Sequence, residues 1–289
     1  MCDEFTAKAE DAALTKAVLT RRGFGIMGAT AALVACSGNG KASDSTLAES
    51  SVEIATPDGK ADAMLVHPAQ GRHPGVILWP DIGGLRPAFA KMARRLARAG
   101  YAVLAVNQYY RNAPAPVLSS FAEWRTPAGQ ERLRPMIAAI TPEATMRDAA
   151  AFAAFLDRSA AVDTARKLGT QGYCMGGPHA VRTAAAVPER IGAVASFHGA
   201  QLVGDDPQSP VRLLARTGAS YLFAIGRNDD QRAPGDKEAL RQAAAAAGRP
   251  AEITVYPADH GWCVLDTPMY DKTQAELAWR RMLALYAKL

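Results

Sequence analysis

The sequence has 289 residues, of which 49% are hydrophobic, and it carries a formal net charge of +5 at pH 7. This length allows one large α/β domain or two small ones. Lys and Arg form no run of five or more and do not alternate with aromatic residues, so nucleic-acid binding has no support. The four cysteines form neither a Cys-x-x-Cys pair nor a Cys/His cluster, and we predict no metal and no organic cofactor.

The first 36 residues resemble a bacterial export signal. Arg21 and Arg22 precede a short apolar run of small residues, which is typical of a twin-arginine signal and is too short to span a membrane. The run ends at Leu33-Val34-Ala35-Cys36, which is similar to the lipobox in which the cysteine is lipidated. Gly25 stands where these signals usually carry a bulky apolar residue, so the alternative is a disordered leader with a chance arginine pair.

The polar, small-residue segment 37–50 is expected to be a flexible tether, followed by one folded domain over 51–289. This organisation predicts a protein that is exported and is either periplasmic or anchored to the membrane through a lipid on Cys36.

Beyond residue 51 the hydrophobic pattern predicts strands that alternate with helices, as in a parallel α/β sheet. The first two strands flank a Pro57-Asp58-Gly59 turn and form a hairpin. The predicted strands are 52–55, 63–66, 76–79, 101–106, 167–171, 191–197, 221–225 and 253–256, and the predicted helices are 88–99, 142–160, 178–186, 234–247 and 275–285.

Between these elements, the segment 107–141 is rich in proline and aromatic residues and lacks a regular period. Long irregular segments inside compact domains are often functional, and we expect this one to be a lid or a pocket wall. The alternative is an insertion without a role in the site.

The segment Gly172-Tyr173-Cys174-Met175-Gly176-Gly177 has the form Gly-x-nucleophile-x-Gly. This pattern is typical of the nucleophile elbow, a sharp strand-to-helix turn that requires small residues two positions before and after the nucleophile. The following helix would point its N-terminus at the sulfur and favour the thiolate of Cys174. The alternative is a buried structural cysteine in an ordinary turn.

A nucleophilic thiol needs a base and an acid that orients the base. In the α/β-hydrolase arrangement the acid follows a later strand and the histidine follows the last strand. Asp229 and Asp230 come after the predicted strand 221–225, and His260 comes after 253–256. Asp229 is the favoured acid because it completes a Gly-x-x-Asp pattern, and Asp230 is the alternative.

The oxyanion of such a reaction needs two hydrogen-bond donors. We predict the backbone amide of Met175, directly after the nucleophile, and that of Ile82, in the loop after the third strand. His179 begins a helix near the elbow and could also reach the site, although chain order favours His260. The remaining histidines are expected at the surface or in structural roles: His67, His73 and His198.

Four segments together closely resemble the dienelactone hydrolase family: Gly172–Gly177, Asp81–Leu85, Gln108–Arg111 and His260–Trp262. The resemblance extends over 52–289. It implies a single-domain α/β-hydrolase fold, with a mostly parallel central sheet and helices on both faces. It further implies that a lactone or ester is opened through a cysteine-bound acyl intermediate, with Cys174, Asp229 and His260 as the triad.

The resemblance also implies residues that bind the substrate. Asp81 takes the place of a glutamate that lies near the resting cysteine in this family, and Arg111 matches the first of two carboxylate-binding arginines. The second arginine is replaced by Val264, which argues for an ester or lactone other than dienelactone itself. Trp262, next to the catalytic loop, completes the predicted substrate-binding set.

These observations predict an enzyme that hydrolyses a small-molecule ester or lactone through a Cys-His-Asp triad and a thioester acyl-enzyme. One alternative is another acyl hydrolase, a thioesterase or a peptidase, that uses the same site. The other is a non-catalytic cell-envelope binding lipoprotein that retains the fold.

Overall fold

The structure, a computed structural model, describes residues 46–289. The predicted export signal, the lipidation site Cys36 and most of the predicted tether therefore lie outside the described residues. Within 46–289, no helix combines the length and the apolar character that a membrane span requires.

Eight strands form one sheet in the order β1-β2-β4-β3-β5-β6-β7-β8. The pairs β1–β2 and β2–β4 are antiparallel, and all other neighbours are parallel, so the prediction of a mostly parallel sheet is confirmed. The strands are β1 (Leu47–Thr56), β2 (Gly59–Pro68), β3 (Gly75–Trp79), β4 (Ala102–Val106), β5 (Leu168–Tyr173), β6 (Ile191–Phe197), β7 (Ser220–Gly226) and β8 (Ala251–Tyr256).

Helices cover both faces of this sheet, and the central strands are buried as a result. In β3, Ile77 and Trp79 enter one apolar cluster while Val76 and Leu78 enter the other, as the alternation of side chains in a strand requires. The helices of the described part are α1 (Pro87–Arg98), α2 (Phe121–Trp124), α3 (Pro127–Ala138), α4 (Pro142–Arg158), α5 (Gly176–Ala186), α6 (Pro210–Leu213), α7 (Arg227–Arg232), α8 (Asp236–Ala246) and α9 (Lys272–Tyr286).

Two differences from the sequence prediction concern whole segments rather than the ends of single elements. Strand β1 begins at Leu47, inside the segment predicted as a tether, because β2 extends to Pro68 and pairs with β1 along its full length. Most β1 side chains are exposed or half-buried at the edge of the sheet, so this strand has little hydrophobic pattern. The segment 107–141, predicted as irregular, contains the two helices α2 and α3.

Candidate active site

The predicted strand-turn-helix around Cys174 is present, with β5 ending at Tyr173 and α5 beginning at Gly176. Cys174 has φ of +53°, a conformation that L-residues rarely adopt and that marks a sharp turn. A Cβ on Gly172 would lie 1.9 Å from the carbonyl oxygen of Gly176, which explains why a glycine is needed two residues before the cysteine. The elbow therefore holds the partly exposed thiol at the carboxyl edge of the parallel strands.

His260 and Asp229 meet at the same edge. His260 lies in the loop after β8, and its Nδ1 donates a 2.8 Å hydrogen bond to Asp229 Oδ2. Asp229 lies in the short helix α7, directly after β7. Asp230, the alternative acid, pairs with Lys237 at 2.8 Å instead. The structure thus brings Asp229, and not Asp230, into contact with the histidine.

The side chain of Cys174 lies close enough to His260 to affect the pKa of its imidazole. Burial lowers the pKa of His260, but the hydrogen bond to Asp229 and the interactions with Cys174 outweigh it and raise this pKa to about 10. The imidazole is therefore protonated at neutral pH.

The predicted oxyanion loop is fixed by two side chains that follow β4. Gln108 Nε2 donates to the carbonyl oxygen of Asp81 at 2.8 Å, and the Tyr109 hydroxyl donates to the carbonyl oxygen of Ile82 at 2.7 Å. Within residues 46–289, the amides of Ile82 and Met175 donate to no protein acceptor. Both amides are therefore available as donors, and Gln108 and Tyr109 are residues whose role the sequence motif did not reveal.

The prediction that Asp81 binds the substrate is not supported by its contacts. Its carboxylate is 2% exposed and accepts two hydrogen bonds from Arg86, at 2.6 and 2.9 Å, and one from the amide of Gly83 at 2.8 Å. Arg86 in turn binds Asp266 at 2.7 and 2.8 Å. Arg86 thus joins Asp81, in the oxyanion loop, to Asp266, in the segment after His260.

Arg111, predicted to bind a substrate carboxylate, is already paired with two carboxylates of the chain itself. It donates two 2.8 Å bonds to Asp148 and bonds of 2.6 and 3.2 Å to Asp58. Asp58 lies in the turn between β1 and β2, and Asp148 lies in α4. The guanidinium therefore joins two elements of the fold, and the predicted role in substrate binding is not supported.

Trp262, the third residue predicted to bind substrate, lies in the core of the protein. Its side chain is 0% exposed, stacks on Tyr256 with ring centroids 5.2 Å apart, and meets the ring of His198 edge-on at 5.1 Å. A fully buried ring of this kind offers no surface to a substrate. Trp262 instead supports the histidine loop from within the core.

His198 was expected to have a structural role, and the structure places it directly beside the elbow. Its Nδ1 accepts a 3.1 Å hydrogen bond from the backbone amide of Cys174, and its ring centroid lies 4.8 Å from that of His260. The side chain is buried, and burial, followed by the charge of His260, lowers its pKa well below the usual value. His198 is therefore a neutral imidazole.

Apolar side chains from the segment 107–141 come close to the elbow. Met175, next to the nucleophile, packs against a small buried cluster that includes Tyr109 and Leu133. Five partly buried side chains of the segment also pack on this cluster: Ala113, Trp124, Met136, Ile137 and Ile140. The segment thus forms an apolar wall beside Met175. Its predicted role as a lid or pocket wall stays a prediction.

An acid, a base and a cysteine at the carboxyl edge of a mostly parallel sheet, with the cysteine on a sharp strand-to-helix turn, are the features of an α/β-hydrolase. The dienelactone hydrolase family profile matches residues 61–289, and the chain belongs to this family. The fold prediction is thereby confirmed, and the chain is an ester or lactone hydrolase by family.

Individual relatives agree. A Salmonella typhimurium protein named "Putative carboxymethylenebutenolidase" is 30% identical over 256 residues, which cover 81% of this chain and 90% of the relative. A crystal structure described as "Putative Dienelactone Hydrolase" from Klebsiella pneumoniae superposes with a TM-score of 0.72 at 27% identity and covers 84% of this chain and 100% of that chain. The dienelactone hydrolase of Anabaena variabilis, at 19% identity and a TM-score of 0.61, covers 84% of this chain and 99% of its own and shares the fold.

Proposed function

We propose that this protein hydrolyses carboxylic esters or lactones through Cys174, His260 and Asp229, with a thioester acyl-enzyme as the intermediate. The observation that carries the proposal is the position of His260. Its imidazole donates to Asp229 at 2.8 Å, and the side chain of Cys174 lies close enough to the same imidazole to raise its pKa. This is the arrangement by which a base activates a nucleophile and is itself oriented by a third group.

The reaction begins from the thiolate of Cys174 and the imidazolium of His260. The sulfur attacks the carbonyl carbon, and the amides of Ile82 and Met175 hold the oxyanion. As the tetrahedral intermediate collapses, the bond to the alkoxide breaks and His260 gives it a proton. With a lactone, this new hydroxyl stays attached to the acyl group. His260 then takes a proton from water, the hydroxide attacks the thioester, and the acid leaves as the thiolate re-forms.

For the substrate, we propose an ester or lactone whose acyl part is uncharged. Arg111 is already paired with Asp58 and Asp148, and the position of the family's second arginine is the buried Val264. Arg147 also pairs with Asp58, at 2.7 Å, so the two carboxylates of this cluster are already balanced by two guanidiniums. A further carboxylate beside Arg111 would give the cluster a net negative charge. The apolar wall beside Met175, in contrast, suits an aliphatic or aromatic acyl group.

Rapid acid quenching followed by peptide mass spectrometry tests this proposal. With p-nitrophenyl butyrate we expect a butyryl group on the peptide that contains Cys174. With mono-p-nitrophenyl succinate, which has a similar size and one negative charge, we expect at least about tenfold slower acylation, since about 1.4 kcal/mol of unfavourable charge interaction suffices for this difference. Turnover without any acyl-cysteine would contradict the thioester route, and equal rates would contradict the proposed substrate class.

The sequence pattern at residues 21–36 leads us to propose in addition that the enzyme is exported and tethered through a lipid on Cys36. We expect the mature chain from cell envelopes to begin at a lipidated Cys36, as measured by mass spectrometry of the N-terminal peptide. A Cys36→Ser variant, the matched control, should not be recovered with the membranes. An intact Met1 in the envelope fraction would contradict the proposal.

A further inference from the structure

His198 lies next to the proposed catalytic pair, and both its backbone conformation and its burial are unfavourable for a histidine. It follows the last residue of β6, the strand beside β5, and its φ is +40°, in the left-handed region. Its side chain is 1% exposed. Its Nε2 has no hydrogen-bond partner among the described residues, although buried polar groups are nearly always paired. If the residue at this position only filled space in the core, an apolar side chain would do so without burying an unpaired polar atom.

Two contacts connect this side chain to the reacting groups. Nδ1 accepts the backbone N–H of Cys174 at 3.1 Å, a bond which that amide shares with the carbonyl oxygen of Phe197 at 3.0 Å. The His198 ring also lies 4.8 Å from the ring of His260, at an angle of 59°. His198 is thus in contact with both the nucleophile's backbone and the base.

We propose that His198 is a positioning residue for the hydrolysis: its imidazole holds the backbone of Cys174 through a hydrogen bond and packs against the ring of His260. This inference rests on the proposed function of Cys174 and His260. As an acceptor on Nδ1, His198 carries its proton on Nε2 and remains neutral. The groups around it are compatible with this state, since Tyr173 and Trp262 contact it as rings and His260 is its cationic neighbour.

The hydrogen bond to Nδ1 of His198 holds Cys174 in its left-handed backbone conformation. The φ of +53° at Cys174 sets the direction of the thiol, and the hydrogen bond from the Cys174 amide to His198 stabilises that conformation. A displacement of the sulfur relative to the oxyanion donors or to His260 would slow the chemical step more than substrate binding. The role therefore predicts an effect on kcat with little change in KM.

Substitution by alanine and by asparagine separates positioning from packing. His198→Ala removes both the acceptor and the ring, whereas His198→Asn keeps an uncharged acceptor at a similar reach and tolerates a positive φ. We expect kcat for p-nitrophenyl butyrate to fall about 10- to 100-fold in His198→Ala with KM within about twofold, and to return to within about fivefold of the natural enzyme in His198→Asn.

His179→Ala provides the matched control. His179 is also a buried histidine with an unpaired Nε2, but it contacts Thr145 and Trp79 rather than the site. We expect this variant to lower the melting temperature and leave kcat unchanged. The rate of Cys174 alkylation by iodoacetamide, measured on folded protein over a range of pH, gives a second readout. It should be slower in His198→Ala and unchanged in His179→Ala.

The inference is overturned if His198→Ala keeps the natural kcat and alkylation rate, or if His198→Asn is as impaired as His198→Ala. These results are distinct from a failure of the proposed function. If Cys174→Ala also retains turnover, the proposed nucleophile is wrong. If Cys174→Ala is inactive while His198→Ala is unaffected, the nucleophile stands and only the role of His198 is refuted.

Discussion

Replacement of Cys174 by alanine is expected to reduce kcat/KM for p-nitrophenyl butyrate by about 10³-fold or more, which corresponds to about 4 kcal/mol of lost transition-state stabilisation. The sulfur is the atom to which the acyl group would be attached, and no other nucleophile occupies the elbow. Residual hydrolysis should come from the oxyanion donors alone, because the amides of Ile82 and Met175 remain. Initial rates over a range of ester concentrations measure the effect.

Cys263 provides the matched control for this substitution. It is the second cysteine of the described residues, is buried, and lies three residues after His260. Burial raises the pKa of its thiol well above the usual value, so it should react slowly with iodoacetamide. We expect Cys263→Ala to keep kcat/KM within about threefold, since it removes one small apolar-like side chain from the core. If the two variants were equally active, the proposed nucleophile would be wrong.

The parts of the site that the sequence predicted are those encoded locally. The glycines around Cys174 are required by the turn itself, and the contacts that a Cβ would make at Gly172 give the reason. The order of nucleophile, acid and histidine follows from chain order along a parallel sheet, because successive strands end at the same edge. The choice between Asp229 and Asp230 required the structure, since both follow β7 and differ only in which side of α7 they occupy.

The parts that were missed depend on partners far away in the sequence. The sequence around Arg111 does not show that Asp58 and Asp148 pair with it. Arg86 is only five residues from Asp81, but the second carboxylate that it binds, Asp266, is 180 residues further along the chain. A family motif can therefore retain a charged residue whose charge is already paired within the protein and is not available to a substrate. Family resemblance alone predicted a substrate role for such residues, and the ion pairs argue against it.

The position of His198 and the start of strand β1 could not be predicted from the sequence for a different reason. The position of His198 follows from the parallel register of β5 and β6, in which Tyr173 faces Phe197, so the next residue reaches the elbow. This register is not readable from either strand alone. Strand β1 lies at the edge of the sheet, and most of its side chains are exposed or half-buried. Its sequence therefore has only a weak hydrophobic period, although its backbone pairs fully with β2.

Substitution of Asp229 by asparagine, compared with the same change at Asp230, is expected to identify the acid. Asp229→Asn should lower kcat/KM on the order of 10²- to 10⁴-fold, because the amide no longer balances the charge of His260 and can donate to Nδ1, which favours the wrong tautomer. Asp230→Asn removes only the ion pair with Lys237 and should change kcat/KM by less than about threefold. Both substitutions conserve size, so the comparison isolates the contact with the histidine.

The pH dependence of kcat/KM distinguishes the two candidate acids more sharply than the size of the rate loss. Among the interactions of His260, the hydrogen bond to Asp229 is the largest that raises its pKa, which stands at about 10 in the natural enzyme. Loss of this bond must lower the pKa, so the imidazolium of Asp229→Asn gives up its proton at a lower pH. The decrease of kcat/KM on the alkaline side should therefore begin at lower pH in Asp229→Asn and stay in place in Asp230→Asn. A shift in the Asp230 variant alone would make Asp230 the acid that acts on His260.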